Sequence, residues 1–163
     1  MMSSTRRRTT AEKDLTTILD QAGADYELLP HPRTETAAAE AEALGVNAGE
    51  VAKTLVLSTP AGHLRAVLPA SERIDLRKVR DHVEGGKRIH LAPEEELERD
   101  YPDFELGAVP PFGGADERVL VDPRIAERET VVLEAGSHEQ SVRMQTADLL
   151  DLTRAEVVDI SQD

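Results

Sequence analysis

The chain has 163 residues and no cysteine, with 39% hydrophobic and only 2% aromatic side chains, and carries 32 acidic against 19 basic residues for a formal net charge of −13. That length fits one hydrophobic core rather than two domains, and the lack of thiols excludes disulfides, thiolate metal sites and cysteine nucleophiles while according with a reducing, cytoplasmic setting. The acidity disfavours casual binding to nucleic acid, so any RNA partner has to be met by a local basic patch.

Residues 1–10, with Arg6 to Arg8 among them, read as a mobile polar and basic tail ahead of a single domain over 11–163. No apolar stretch follows the arginines, so neither an export signal nor a membrane span is expected. The segment 9–23 places Leu15, Ile18, Leu19 and Ala22 on one helical face and stops at Gly23. "DYELLPHP" predicts a strand closed by Pro30 and Pro32, and "TETAAAEAEALG" a helix opened near Thr34 or Thr36 and ended by Gly45. Residues 51–69, two alternating runs around "STPAG", have the pattern of a β-hairpin.

The second half continues this rhythm without a repeat. "DLRKVRDHVEGG" predicts a helix finishing on glycine, "RIHL" a short strand and "APEEELERD" a helix with acidic residues in its first turn. "RVLVD", "TVVLEAG", "SVRMQ" and "EVVDI" read as strands, and "TADLLDLT" as a helix capped by Thr146. Hairpins interspersed with helices predict a mixed, largely antiparallel α/β domain rather than a doubly wound parallel sheet.

The five histidines, His31, His63, His82, His90 and His138, show no paired ligand spacing, so no metal is expected. Nucleophile elbows, Walker A and dinucleotide-binding glycine patterns are absent too, and no cofactor is expected. Two features stand out. A strand over 51–57 puts Val51, Lys53, Leu55 and Leu57 on one face, so an ammonium projects from an apolar row, either snorkelling to solvent or waiting at a pocket rim for a phosphate or carboxylate. "ELGAVPPFGG", residues 105–114, combines two prolines with three glycines and predicts a stiff, exposed turn. It is either a connector or a rigid shelf facing a ligand, with Phe112 supplying apolar surface.

Taken in order, "HPRTETAAAEAEALG", "VAKTLVLSTPAGHLRAVLPA", "ELGAVPPFGG" and "EAGSHEQSVRMQTADLL" resemble the YbaK and prolyl-tRNA synthetase-associated editing domain family. The resemblance implies a single α/β domain with a mixed, barrel-like sheet, surrounding helices and a pocket for the 3′ end of an aminoacylated tRNA. It implies a free-standing trans-editing deacylase that hydrolyses the ester of a mischarged tRNA, of the tRNA(Pro) type or related, with an aminoacyl-tRNA synthetase as a further partner and no membrane.

Position by position, the resemblance makes Lys53 the catalytic and terminus-holding lysine, and Gly107 to Pro111 the glycine-proline loop whose backbone places the ester, with Gly107 grouped with Lys53 as catalytic. It assigns Thr36, Ala108, Val109, Pro110, Pro111, Phe112, Gly113, Gly136, Ser137 and His138 to the substrate site. His138 departs from the family's histidine position and reads as a surface-loop histidine. An aminoacyl ester is already activated, so such a site needs chiefly an oriented water, backbone donors for the oxyanion and a pocket of selective size. Lys53 then offsets phosphate charge, the Gly107 loop positions the carbonyl, and Thr36, Phe112 and Ser137 bound the amino acid.

The expected tRNA contacts are Arg6 to Arg8, Arg73, Arg77, Lys78, Arg80, and Lys87 with Arg88. The competing reading is a non-catalytic module on the same fold that binds a nucleotide, a tRNA terminus or a protein. A purely structural acidic protein leaves the loop and the lysine without a purpose.

Overall fold

Apolar residues fill almost every position of "GHLRAVLP", and this strand is buried on both sides. In the computed structural model, which describes residues 10–102, 104, 108–112 and 117–163, it is β3 (Gly62–Pro69). Leu64, Ala66 and Leu68 pack to one side with Val79, Ile89 and Leu120, whereas Val67 packs to the other with Phe112, Val119 and Val121. A strand covered on both faces needs a nearly continuous apolar run, which is why the alternation there is imperfect.

The chain begins with α1 (Thr10–Gln21) and β1 (Tyr26–Pro30). Next comes α2 (Ala37–Leu44), capped by Thr36, whose hydroxyl accepts from Ala39 N, and closed by Gly45 in the left-handed region at φ 69°. The expected hairpin is formed by β2 (Ala52–Thr59) and β3. Then follow α3 (Leu76–His82), β4 (His90–Leu91), α4 (Glu94–Asp100), β5 (Arg118–Val121), α5 (Pro123–Ala126), β6 (Thr130–Ser137), β7 (Gln140–Gln145), α6 (Thr146–Thr153) and β8 (Glu156–Val157).

The strands form a three-stranded antiparallel sheet, β1-β7-β6, and a five-stranded mixed sheet, β4-β2-β3-β5-β8. Only the β3–β5 and β5–β8 ladders are parallel. A bridge between Val51 and Val132 joins the sheets. The main core fills the space between them with Leu19, Phe112, Val121, Leu133, Met144 and Leu149. On the far face of the larger sheet, α3 seals a second core around Leu57, Leu68 and Leu120.

Three local expectations differ. Gln145, not Thr146, occupies the N-cap of α6; Thr146 is the first helical residue and is buried. α3 ends at Val83 in extended conformation, ahead of the glycines, and Gly85 makes the turn at φ 136°. "EVVDI" contributes only Glu156 and Val157 as strand. Beyond it the chain is held by the buried Asp122 carboxylate, which caps α5 and accepts from Ile160 N at 3.1 Å and from the Ser161 hydroxyl at 2.8 Å. The basic run Arg6 to Arg8, together with Gly107 and Gly113, lies outside the described residues.

Candidate active site

Strand β2 is fully paired with β3 on one edge, but β4 meets its other edge only at Leu57 and Ser58. The Val56 carbonyl points to that second edge, where it accepts from Ala92 N at 3.0 Å. Strand alternation therefore turns the N–H and C=O of Thr54 the same way, toward the stretch that no described strand covers. A pocket of about 430 Å³ opens there between Thr36, Ala37 and Ala38 at the start of α2, Ala52 to Leu55 of β2, Ala70, Val109 and Glu134 of β6.

Lys53 lines this pocket and opposes Leu68 in the β2–β3 ladder. It shares a face with Leu55 and Leu57, as the period-two pattern predicts. Burial pushes its ammonium below the ordinary lysine value, and the nearby charge of Arg73 adds to the effect. An amine surrounded this way gains by meeting an anion.

Thr36 is both the cap of α2 and a pocket residue. Its partner in position is the connection after β6. His31 N donates to Glu139 O at 3.1 Å and Thr34 N to His138 O at 3.0 Å, which ties the approach to α2 onto that connection. His138 itself is 3% exposed, not a surface-loop residue. Its Nδ1 lies 2.9 Å from Glu134 Oε2 and its Nε2 4.0 Å from Glu35 Oε2, and both carboxylates line the pocket. The register shift between Glu134 and Ser137 creates a bulge at this end of β6, a device that re-aims a side chain. Glu134 forms part of the pocket wall, whereas Ser137, beyond the bulge, is not among its lining residues.

The described part of the proline loop differs from the expected exposed turn. Ala108, Val109, Pro110, Pro111 and Phe112 are all buried. The carbonyls of Pro110 and Phe112 accept from Arg65 Nη1 at 2.6 and 2.8 Å, which lets a proline-rich backbone enter the interior with its polar atoms satisfied. Phe112 belongs to the main core with Val67 and Val119 rather than to the pocket wall. Among the described loop residues, Val109 reaches the pocket.

Of the expected basic contacts, Lys78 is engaged by Asp159 and Asp163 and by the Ser161 carbonyl, and Arg80 by the Ile89 carbonyl. Both brace the fold. Arg73, Arg77, Lys87 and Arg88 are exposed. Among the described residues, His63, Glu96 and Asp100 bring donor atoms within 4.8 Å of one another. Glu96 meets His63 Nε2 at 2.6 Å and Asp100 meets Nδ1 at 3.8 Å. These carboxylates thus address opposite ring nitrogens, as in a hydrogen-bonded chain rather than a metal cradle.

The residues that composition could not announce are Glu134 and Arg65. Glu134 ends an apolar strand run and looked like an ordinary polar terminus, and Arg65 occupies one position of an alternating strand. Neither has a spacing signal.

An α/β domain with a small-residue pocket, a desolvated lysine and backbone groups at an open strand edge defines a class of site suited to an activated ester, without metal ligands or a nucleophile triad. Residues 31–152 match the model of the aminoacyl-tRNA editing domain. Over 163 aligned residues the chain is 31% identical to the multifunctional Ser/Thr-tRNA deacylase ProXp-y of Escherichia coli (strain K12), covering 96% of each protein. It is 25% identical, with a TM-score of 0.86 and coverage of 96% and 100%, to a crystal structure provisionally described as a trans-editing enzyme for prolyl tRNA synthetase. The crystal structure of hypothetical protein APE2540 shares the fold at 24% identity and a TM-score of 0.83, covering 91% of this chain and 99% of that one. The chain belongs to the aminoacyl-tRNA editing domain family. Its activity is accordingly that of an aminoacyl-tRNA hydrolase serving translation fidelity. Among the described residues no helix is long and apolar enough to cross a membrane.

Proposed function

We propose that this protein acts in trans, in the cytoplasm, on tRNA mischarged with a small hydroxylated amino acid, and that the 430 Å³ pocket beside Lys53 hydrolyses the ester. The observation that carries this reading is the meeting of the Lys53 ammonium with the carboxylates of Glu134 and Glu35 on the walls of a single pocket. An aminoacyl-tRNA end offers the matching pair, an anionic phosphate and a cationic α-ammonium, separated by the ester to be cut. Lys53 meets the phosphate and Glu134 the α-ammonium. Gly107, with Ala108 to Pro111, is assigned to placing the carbonyl, and the Thr54 N–H at the open edge is a further backbone donor for the oxyanion.

The pocket's small residues, Ala37, Ala38, Ala52 and Ala70, leave room for a short side chain, and the hydroxyls of Thr36 and Thr54 offer it polar partners. Recognition through such partners disfavours an analogue that lacks the hydroxyl. The similarity to a Ser/Thr-tRNA deacylase points the same way. Phe112, from its place in the core, bounds the amino acid only indirectly, Ser137 and His138 act as supports of the wall, and Gly113 and Gly136 keep the substrate-site roles that the family resemblance gives them. Recruitment by an aminoacyl-tRNA synthetase compensates for a surface at −13.

The test is deacylation of labelled seryl-, threonyl-, alanyl- and cysteinyl-tRNAs by the purified protein. Preferential hydrolysis of the seryl and threonyl esters is expected. Saturable tRNA binding with no hydrolysis of any of them supports instead a binding module on an editing fold.

A further inference from the structure

Arg65 is 3% exposed and sits where the proline segment crosses the larger sheet. A guanidinium keeps its charge under all ordinary conditions, so its burial demands a full set of partners. Nη1 donates to the carbonyls of Pro110 and Phe112, on either side of Pro111, and Nε donates to Glu117 Oε1 at 3.1 Å. The guanidinium carbon also lies 5.3 Å from the centroid of the Tyr101 ring. The Tyr101 hydroxyl donates to the same Glu117 oxygen at 2.5 Å and lies 3.2 Å from His63 Nδ1. Burial, and then the Glu117 carboxylate, push the Tyr101 phenol well above its ordinary value, so it stays a donor.

Prolines supply no N–H, so their carbonyls are the backbone handles by which this segment can be held. One nitrogen of Arg65 takes the Pro110 carbonyl together with that of Phe112. Val109 precedes the first held carbonyl and stands at a partition. On one side is the pocket of Lys53, and on the other a compartment of about 200 Å³ lined by Leu55, Val56, Leu91, Ala92 and Leu97. Thr54, Leu55 and Val109 line both.

We propose that Arg65 is a positioning residue that sets amino-acid selectivity: by holding the carbonyls of Pro110 and Phe112 it keeps Val109 in place as the wall between the amino-acid subsite and the apolar compartment. This rests on the reading that the Lys53 pocket hydrolyses an aminoacyl ester. When the wall is loosened, a branched aliphatic side chain gains access to an apolar space that the parent protein closes off. Arg65→Lys retains the charge but lacks the planar guanidinium that holds both carbonyls through Nη1 while Nε is anchored on Glu117.

The experiment measures kcat/KM for seryl-tRNA and valyl-tRNA with the parent, Arg65→Lys, Glu117→Gln and Val109→Ala, each checked by circular dichroism and a cooperative melt. Glu117→Gln weakens the grip on Arg65 without removing it, and serves where Arg65→Lys fails to fold. Val109→Ala lowers the wall directly. The expected result is a seryl-to-valyl preference reduced at least about tenfold in Arg65→Lys and Val109→Ala, and by a smaller factor in Glu117→Gln, through a gain on valyl-tRNA. General structural damage lowers both rates together and produces no such gain. Folded Arg65→Lys, or in its place Glu117→Gln, with the parent preference overturns the inference, as does an unchanged preference in Val109→Ala. A parent protein that hydrolyses neither ester overturns the reading of the pocket itself.

Discussion

His138 Nδ1 and Glu134 Oε2 lie 2.9 Å apart across the bulged end of β6, with the histidine buried and the carboxylate on the pocket wall. The imidazole thus lies directly against the carboxylate. A substrate α-ammonium that pairs with Glu134 makes a charge-assisted hydrogen bond, worth roughly 1.5–3 kcal/mol. Glu134→Gln is therefore expected to raise KM for seryl-tRNA roughly tenfold to a hundredfold with a smaller effect on kcat. N-acetylseryl-tRNA, which has no ammonium, is expected to be a poor substrate whose rate is little affected by the substitution. Equal losses on both substrates contradict the assignment.

Glu40 is buried beneath α2, where it accepts a hydrogen bond from the Ser141 hydroxyl, which also contacts His31 Nε2 at 2.8 Å. Burial raises its carboxyl from 4.5 to about 7, with the Ser141 bond acting in the opposite direction. The folded protein thus holds this proton more tightly than the unfolded chain does. The stability contribution is complete below about 4.5 and is lost as the pH rises through about 7. Glu40→Gln cannot ionise, so its urea midpoint is expected to gain on the parent's between pH 5 and pH 8, by at most about 3 kcal/mol. Repeating the comparison in a His31→Gln background separates the imidazole. A difference that does not change with pH contradicts the account.

Lys78 and Arg73 contrast a cation engaged by the fold with an exposed one beside the pocket lysine. Lys78 is held by Asp159 and Asp163, whose hydrogen bonds raise its pKa, whereas exposed Arg73 acts on Lys53. Arg73→Ala is expected to weaken tRNA binding and to reduce the slope of log K against log salt by about one unit. Lys78→Ala leaves that slope unchanged. The reverse pattern places the tRNA on the α3 side of the domain.

Phe112 packs in the core with Val67 and Val119. Its replacement by alanine is expected to cost about 3–5 kcal/mol of stability, measured by urea unfolding. A loss below about 1 kcal/mol, with a marked change in substrate KM, shows instead that the ring meets the ligand.

Lys53 was legible because period two is rigid: one cation in the row Val51, Lys53, Leu55, Leu57 has to emerge from an apolar face. Thr36 was legible because a threonine before an alanine-rich helix is a cap. The depth of residues 108–112 was not, because a run of prolines and glycines normally stays in solvent unless something answers its carbonyls. What answers them is Arg65, more than 40 positions earlier in the chain and within a strand whose pattern gives no hint of a clamp. His138 was misread for a related reason. A Ser-His-Glu turn between strands reads as surface, whereas the segment ahead of α2 is hydrogen-bonded onto that turn through His31 and Thr34. Lys78 and Arg80 show the converse, since charge on a helix face does not reveal which cations are already engaged.

The measurement that bears most directly on the account is single-turnover hydrolysis of seryl-tRNA by Lys53→Ala beside the parent, with folding verified by the thermal midpoint. The expected result is a loss of about a hundredfold or more in rate, ~2.7 kcal/mol of transition-state stabilisation, with the midpoint little changed. A folded Lys53→Ala protein that deacylates at the parent rate contradicts the central role given to this lysine.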